Sequence, residues 1–181
     1  PNGFNMPIDI KQLVHDITPE KTVLFFGAGS SIPSRAPSVE GIIRKLATRF
    51  KEDANGYTLR EFTSILETKY TRYEMITELR KMFEDLKPTG GILNTPLYDW
   101  KSIYTTNYDE LIEQSYNSSQ KRIRPISSNF DFSSAGGADT LKYFKLHGTI
   151  DKDIVDGIQS RIIISDGDYD QTVEYREKTL G

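Results

Sequence analysis

Three short strings that stand far apart in the chain carry residue types suited to chemistry: 27–31 (Gly-Ala-Gly-Ser-Ser), 105–109 (Thr-Thr-Asn-Tyr-Asp) and 145–148 (Lys-Leu-His-Gly). Glycine lets a backbone approach a phosphate group closely enough for its N–H groups to donate, and serine hydroxyls add further donors. The amide of Asn107 donates and accepts at once without carrying charge, so it can hold a hydroxyl group or a water molecule. The imidazole of His147 can transfer a proton near neutral pH. The three strings therefore predict an anion-binding turn, a neutral polar contact and a base.

The glycine string also has a purely structural interpretation. A glycine turn after an apolar run is equally typical of a tight exit from a strand, with no ligand. The fingerprint Gly-x-Gly-x-x-Gly is incomplete, because Ile32 stands at the third glycine position. Taken alone, this string leaves both interpretations open for Gly27 and Gly29.

The other two strings have structural alternatives as well. Thr106 and Asn107 are good N-cap residues, and Asp109 in a first helical turn favours the helix dipole. A hydrogen-bonded structural histidine is the alternative for His147. The second histidine, His15, falls on the polar side of the first predicted helix and is expected at the surface.

The elements that must position these strings alternate between strand and helix. Apolar residues from Ile8 to Ile17 predict a short helix that covers an edge of the sheet, and the apolar run 22–26 predicts a strand buried on both faces. Further strands are predicted at 102–106, 123–126, 141–146 and 161–165. Helices are predicted at 39–50 after Ser38, after the capping boxes Thr58-x-x-Glu61 and Thr71-x-x-Glu74, from about 108 to 116, and from 168 to about 178.

This order of elements predicts an α/β fold: a Rossmann-like, mainly parallel sheet with an inserted helical block. Binding loops then lie at the carboxyl ends of the strands, where all three strings fall. Residues 127–139, rich in Ser, Gly and Asp, predict a surface loop. We expect residues 1–5 to be a leader or tag remnant, residues 6–181 to form one domain truncated at its C-terminal end, and the helical insertion to span about 38–100.

Composition narrows the possible classes of protein. The chain has 181 residues, enough to bury the core of one domain, and no cysteine. The lack of cysteine excludes disulfides, thiolate zinc sites and cysteine nucleophiles, and fits a reducing compartment. A net charge of −3 disfavours direct binding to nucleic acid or anionic lipid. Because no apolar run approaches the roughly 20 residues needed to cross a membrane, we expect a cytoplasmic protein, and we expect no metal.

Taken together, the three strings resemble the sirtuin superfamily, and in particular the bacterial sirtuin-like domains that consume NAD+ in antiviral defence. The string 105–109 is the most specific element, since protein-deacylating sirtuins carry Gln-Asn-Ile-Asp there. The resemblance covers roughly residues 10–175 and includes Pro37-Ser38 and the string 165–169 (Ser-Asp-Gly-Asp-Tyr). Two residues depart from the pattern: Arg35 stands where many relatives have glycine, and Val39 where an aromatic residue is common.

The resemblance implies a role for each matched residue. Asn107 and Asp109 would face the nicotinamide ribose and His147 would be the general base, which makes these three the predicted catalytic residues. The predicted NAD+-binding residues are Gly27, Ala28, Gly29, Ser30, Ser31 and Thr106. The expected activity is that of an NAD+ glycohydrolase, an NADase that releases nicotinamide and ADP-ribose as the effector of an anti-phage abortive-infection system.

Other functions compete with this one. A non-catalytic sensor of NAD+ or ADP-ribose is disfavoured by the presence of both Asn107 and His147. A protein deacylase is disfavoured because deacylating sirtuins carry a four-cysteine zinc module and Asp-Phe-Arg after the proline, whereas Pro37 is followed here by Ser-Val-Glu. A hydride-transferring dehydrogenase would favour the full three-glycine fingerprint and an acidic residue about 20 positions further on.

The resemblance also implies partners. Domains of this kind are attached to, or encoded beside, a sensor such as a short Argonaute, a HerA-type ATPase or a cyclic-nucleotide reader, and many are silent until assembly releases them. We therefore expect a homo-oligomer, a sensor partner or a fused sensor domain.

Overall fold

A four-stranded, all-parallel sheet forms the centre of the fold. The computed structural model describes residues 9–128, 131, 140–153 and 160–180. The strands are β1 (Val23–Phe26), β2 (Ser102–Thr105), β3 (Arg122–Ile126) and β4 (Thr140–Lys145), in the order β1-β2-β4-β3. Parallel strands need crossover connections, and helices lie between β1 and β2 and between β2 and β3. The predicted α/β, Rossmann-like class is confirmed.

Local signals place the helices. They are α1 (Ile10–Asp16), α2 (Val39–Phe50), α3 (Leu59–Lys69), α4 (Arg72–Phe83), α5 (Leu111–Tyr116), α6 (Asp166–Gln171) and α7 (Val173–Leu180), with 3₁₀ segments at Pro19–Lys21, Ala28–Ser34, Gly90–Leu97 and Ile150–Lys152. The Oγ of Ser38 accepts a hydrogen bond at the start of α2, and Thr58 and Thr71 form the predicted capping boxes of α3 and α4. These side chains satisfy N–H groups that a helix start leaves unpaired, so the predicted starts of the inserted helices are confirmed.

One face of the sheet is buried against helices. Ile103 of β2 and Tyr143 of β4 are paired neighbours on this face, and they pack with Leu111 and Ile112 of α5 and with Ile92. Because both sides of this contact are apolar and buried, it supplies much of the stabilising surface of the sheet. It also fixes α5, and with it the chain that leaves the carboxyl end of β2.

The inserted helices form a second core around Leu46, Phe62 and Leu79, which have no exposed surface. Ile162, close to the C-terminal helices, packs into the same core. The next residue, Ile163, donates a backbone hydrogen bond of 3.0 Å to the carbonyl of His147. The helical block is therefore joined to the carboxyl end of β4.

β1 is an edge strand, which corrects the prediction that it is buried on both faces. Among the described strands it pairs with β2 alone, and the Phe25 side chain is 62% exposed. Phe25 begins a row of paired residues that crosses the sheet through Tyr104, Phe144 and Ile126. The rings of Tyr104 and Phe144 stack with centroids 4.7 Å apart. The apolar Phe25 of β1 is therefore explained by its place in this row, and not by burial on both faces.

Three other predicted elements differ from the structure. α1 forms, but it has no buried residue and Val14 is 66% exposed, so it does not cover a sheet edge. Residues 161–165 form no strand of the sheet, and the last predicted helix is divided into α6 and α7 at Thr172. The predicted leader, residues 1–5, lies outside the described residues, as does most of the predicted loop 127–139.

Candidate active site

The glycine turn follows β1 directly. Gly27 is extended, and the chain then winds through the 3₁₀ segment Ala28–Ser34. A Cβ placed on Gly27 or Gly29 would meet no heavy atom within 4 Å, so the space beside this backbone is open to a ligand. Arg35 ends the turn in the left-handed conformation, with φ at 66°. That conformation favours glycine, which gives a physical reason for the glycine that the resemblance leads us to expect there.

Asn107 follows β2 and reaches back to the glycine turn. Its Nδ2 donates to the carbonyl of Gly27 (3.1 Å) and to the hydroxyls of Ser30 (3.1 Å) and Ser31 (2.8 Å). A carbonyl can only accept, so the contact with Gly27 fixes which way the amide points. The other amide atom, Oδ1, is buried and accepts no hydrogen bond from the described residues. A buried acceptor without a partner costs free energy, so this oxygen is suited to a bound hydroxyl or water.

The hydroxyls of the glycine turn point into the protein. Ser30 Oγ donates to the carbonyl of Gly27 (2.8 Å), and Ser31 Oγ donates to Oδ2 of Asp109 (2.7 Å). Because a hydroxyl has a single proton, neither serine has one left for a phosphate. This corrects the expectation that the two side chains add donors to an anion site: they hold Asn107 and Asp109 instead.

Asp109 is buried between the glycine turn and α5. Its second oxygen, Oδ1, accepts from the backbone N–H of Leu111 (3.1 Å), which ties the carboxylate to the first turn of the helix. The N-cap position of α5 is Glu110. The interpretation of Thr106 and Asn107 as helix caps is therefore wrong. The prediction that Asp109 lies in the first helical turn is also wrong, because Asp109 precedes the N-cap, although its carboxylate accepts from the first N–H of the helix.

His147 stands where β4 ends, in a turn that only glycine allows. Gly148 has φ at 74°, and a Cβ there would come within 2.9 Å of the carbonyl oxygen of Arg161. The imidazole lies between two aromatic rings, with centroids 6.3 Å from the ring of Tyr108 and 5.9 Å from that of Tyr169. The Tyr169 hydroxyl lies 3.5 Å from Nε2. His15, by contrast, has a side chain that is 86% exposed, as predicted.

A single cavity of about 360 Å³ collects most of the predicted residues. Ala28, Ser31, Thr106, Asn107, Asp109 and His147 line it. Gly27 and Ser30 contact Asn107 behind this wall, and Gly29 lies between them in the chain. The structure therefore brings the asparagine, the imidazole and the glycine turn to one place, at the carboxyl ends of β1, β2 and β4.

Sequence reasoning missed three further residues of this cavity. Arg60 of α3, Tyr108 and Tyr169 of α6 also line it. The guanidinium of Arg60 lies over the Tyr169 ring, 4.4 Å from its centroid, and pairs with the carboxylate of Asp166. Burial raises the pKa of the Tyr108 hydroxyl far above its ordinary value, and this hydroxyl donates to the carbonyl of Ile163 (3.0 Å). Tyr108 and Tyr169 belong to strings that the sequence singled out, whereas nothing in the sequence marks Arg60.

Sequence reasoning also missed Lys145, a fully buried cation at the end of β4. Its Nζ pairs with Glu113 of α5 (2.9 Å) and donates to the backbone carbonyl of Asp109 and to the hydroxyl of Thr149 (3.2 Å). A buried charge is tolerated only when it is paired and hydrogen-bonded, as it is here. Lys145 thus joins the chain beside His147 to the chain beside Asn107, and a lysine inside an apolar strand was the available signal.

A buried ion network anchors α6 beneath the cavity. Arg72 of α4 donates to Asp153 (2.6 Å), to Asp168 (2.9 Å) and to Glu67 (2.7 Å), and Arg161 also pairs with Asp168 (2.7 Å). Burial raises the pKa of Asp168, but the two guanidinium groups and nearby backbone N–H groups outweigh it and hold that pKa below its usual value. Asp168 therefore stays ionised and fixes the start of the helix that carries Tyr169.

A second depression, lined by described residues, carries none of the predicted site residues. This larger depression, of about 1010 Å³, lies at the opposite edge of the sheet, where Lys101, Arg122 and Lys142 line it with Trp100 and Tyr104. Within the described ranges, no group of acidic, histidine or cysteine side chains is arranged to hold a metal ion. In the same part of the chain, the helices are too short or too polar to cross a membrane.

The C-terminal part of the chain matches a known protein family. Residues 101–180 match the family model of the SIR2-like domain, and that range contains Asn107, Asp109 and His147. No curated protein gives a significant match to the chain. SIR2-like domains bind NAD+ and are usually NAD-dependent enzymes. Residues 101–180, a little less than half of the chain, are thus similar to a SIR2-like domain.

Proposed function

We propose that this protein is an NAD+ glycohydrolase that cleaves the bond between nicotinamide and ribose. The observation that carries the proposal is the buried Oδ1 of Asn107, which has no partner among the described residues and belongs to a cavity that His147 also lines. The cavity volume, about 360 Å³, lies within the range of small-molecule sites. The open backbone at Gly27 and Gly29 suits a diphosphate, and the SIR2-like match supports NAD+ as the ligand.

Each residue has a task in this proposal. Asn107 accepts a hydrogen bond at Oδ1 from a ribose hydroxyl or from the attacking water, and His147 takes up the proton that the water loses. The carboxylate of Asp109, held by Ser31 and Leu111, places negative charge near the ribose, where positive charge develops. NAD+ and water give nicotinamide, ADP-ribose and one proton. Nicotinamide leaves as a neutral base, so the protein needs no general acid.

Deacylation of protein lysines is the second enzymatic candidate. It begins with cleavage of the same bond, so the same cavity would serve it. The sequence lacks the four cysteines and the Asp-Phe-Arg string of deacylating sirtuins, which favours water over an acyl group as the acceptor. A sensor that binds NAD+ or ADP-ribose without turnover is the candidate from another class.

We also propose the biological setting that the resemblance implies. The protein acts in the cytoplasm as an effector of anti-phage defence, and a homo-oligomer, a fused sensor domain or a separate sensor controls it. The net charge of −3 argues against a direct role in nucleic-acid binding. We likewise propose that residues 6–181 form one domain with a helical insertion of about 38–100.

The decisive experiment measures nicotinamide release from NAD+ by the full-length protein, together with any sensor that is encoded beside it. His147→Ala and Asn107→Ala should each lower the rate about 10²- to 10⁴-fold, because each removes a group that acts on the reacting atoms. The matched controls are His15→Ala and Asn94→Ala, whose side chains lie at the surface. Circular dichroism and urea midpoints check that each variant folds.

Each alternative predicts a different result. Near-normal turnover in both site variants would show that the site is wrong. Consumption of an acyl-lysine peptide in step with NAD+ would favour the deacylase. Tight binding of NAD+ by the activated protein without release of nicotinamide would favour the sensor.

A further inference from the structure

We propose that Tyr169 is a positioning residue for His147: its hydroxyl donates to Nε2 and so keeps the imidazole in the tautomer that is protonated at Nδ1. The inference rests on the proposed function, because it assigns a partner to the base of that site. Nothing in the motif around His147 indicates this partner, which lies 22 positions further along the chain.

The contact itself is specific. The Tyr169 hydroxyl lies 3.5 Å from Nε2, and the two rings meet edge to face with an interplanar angle of 74°. Tyr108 lies against the same imidazole, but its hydroxyl already donates to the carbonyl of Ile163. Of the two tyrosines, Tyr169 is therefore the one that directs its hydroxyl at a ring nitrogen.

The chemistry of the two groups sets the direction of the hydrogen bond. A phenol is the better donor and a neutral imidazole nitrogen is the better acceptor, so the proton lies on the Tyr169 oxygen and the unshared electron pair on Nε2. The partner of one ring nitrogen decides the tautomer of a histidine. Nε2 thus becomes the basic atom. When a substrate hydroxyl or the attacking water binds, it takes the place of the Tyr169 hydroxyl at Nε2.

Tyr169 is itself held from two sides. Asp168, the residue before it, is buried and bound by Arg72, so the first turn of α6 cannot shift freely. On the other side the guanidinium of Arg60 lies 4.4 Å from the Tyr169 ring centroid and pairs with Asp166. A cation over a tyrosine face is attracted to the ring and restricts its motion. The helical insertion thereby helps to orient His147.

Among the described residues that line the cavity with His147, two carry charge. Arg60 of α3 supplies positive charge and Asp109, before α5, supplies negative charge on the same cavity. Asp168 of α6 is paired with Arg72 and Arg161, which offset it. The group that lies beside Nε2 is the neutral hydroxyl of Tyr169, and not the carboxylate of Asp109.

The test is nitrogen NMR on protein labelled with ¹⁵N-histidine, since the chain has two histidines. We expect His147 to show a single tautomer with Nδ1 protonated, and Tyr169→Phe to shift it toward a mixture of both tautomers. His15, with its exposed side chain, is the reference in the same spectrum. The matched control is Tyr73→Phe, at a residue 59% exposed on α4, which should leave the His147 signals unchanged.

A second variant and an activity measurement complete the test. Arg60→Gln should shift the tautomer in the same direction but less, because Tyr169 keeps its hydroxyl. In the activated full-length protein, Tyr169→Phe should lower kcat roughly tenfold and change KM little. A His147 tautomer that stays fixed in Tyr169→Phe, or that carries its proton on Nε2 in the wild type, overturns the inference. A tautomer change as expected, with no nicotinamide release by the wild type, supports the positioning role and rejects the proposed function.

Discussion

Replacing Arg72 with methionine should destabilise the protein strongly, because this guanidinium neutralises two buried carboxylates. The Arg72 side chain is 6% exposed and satisfies Asp153 and Asp168, which are 1% and 0% exposed. Without Arg72, the Asp153 carboxylate still accepts a hydrogen bond from the N–H of Ile162. The Asp168 carboxylate still accepts from Arg161 and from two backbone N–H groups. Removing one partner of a buried ion pair costs about 3–5 kcal/mol, and we expect the lower part of this range because the remaining donors still compensate part of the buried charge.

That loss is a large fraction of the stability of a domain, about 5–15 kcal/mol. Urea unfolding followed by the fluorescence of Trp100, the single tryptophan, measures it. With a urea dependence of about 2–3 kcal/mol per molar, the midpoint should fall by roughly 1–2 M. The urea midpoint of Arg72→Lys should lie between those of the methionine variant and the wild type, because one ammonium group cannot span both carboxylates as the guanidinium does.

The matched control is Arg49→Met. Arg49 pairs with Glu78 at 3.1 Å, but its side chain is 54% exposed, and an exposed pair contributes less than about 1 kcal/mol. Equal midpoints for the two methionine variants would refute the reasoning, since burial is the feature that separates them. A wild-type-like midpoint for Arg72→Met would refute it as well.

The dependence on pH gives a second measurement of the same network. The pKa of Asp168 is held below its ordinary value of 3.8, so its contribution to stability is present above that pH and is lost as the pH falls through the lowered value. Arg72→Met removes part of the cause. Its unfolding free energy should therefore fall less steeply on acidification than that of the wild type, and an equal slope would count against the assignment.

Three further substitutions test other parts of the structure. Gly148→Ala should cost at least about 1–2 kcal/mol in urea unfolding, because φ is 74° and the new Cβ would lie 2.9 Å from a backbone carbonyl oxygen; an unchanged midpoint would contradict that geometry. Ser31→Ala should cost about 1–3 kcal/mol and slow nicotinamide release, since the buried carboxylate of Asp109 loses a donor; normal turnover would show that this bond is not needed. Burial first, and then Asp151, raises the pKa of Glu110 above 4.5, so the wild type loses stability as the pH rises through that pKa. Glu110→Gln should then be more stable than the wild type at pH 7, by less than about 1 kcal/mol, and the two stability curves should meet below about pH 4.

The elements that the sequence predicted well are those decided by neighbouring residues. Thr58 and Thr71 begin helices because each side chain bonds a glutamate and a backbone N–H within the same turn. Such a signal does not depend on the rest of the fold. The prediction for β1 failed because the order of strands depends on pairing between distant segments, and an apolar run cannot tell a central strand from an edge strand.

The segment 161–165 shows a second limit. Its isoleucines are β-branched and apolar, and Ile162, Ile163 and Ile164 are all buried, at 0%, 1% and 2% exposure. Their burial, however, includes packing of Ile162 and Ile164 against the inserted helices, not pairing in the sheet. The apolar, β-branched residues of this segment indicate that it is buried. They do not indicate whether its backbone pairs with a strand of the sheet.

The meeting of the three strings was predictable from topology, because the carboxyl ends of parallel strands lie at one edge of a sheet. Arg60 was not predictable in this way. It lies on a surface helix, 109 positions before Tyr169, and no periodic pattern relates the two. The parts of the site contributed by the sheet could be derived from the sequence, whereas the part contributed by the helical insertion required coordinates.

The serines of the glycine turn show how the turn and the asparagine depend on each other. Both serines were predicted to donate to a ligand, yet the proton of Ser30 is directed at Gly27 and that of Ser31 at Asp109. Their oxygens accept from Asn107 Nδ2 instead. With three acceptors around Nδ2, the amide cannot turn over without placing its oxygen against the carbonyl of Gly27. The turn therefore fixes Oδ1 as a ready acceptor before any ligand arrives, which is the preorganisation that a site acting on a ribose requires.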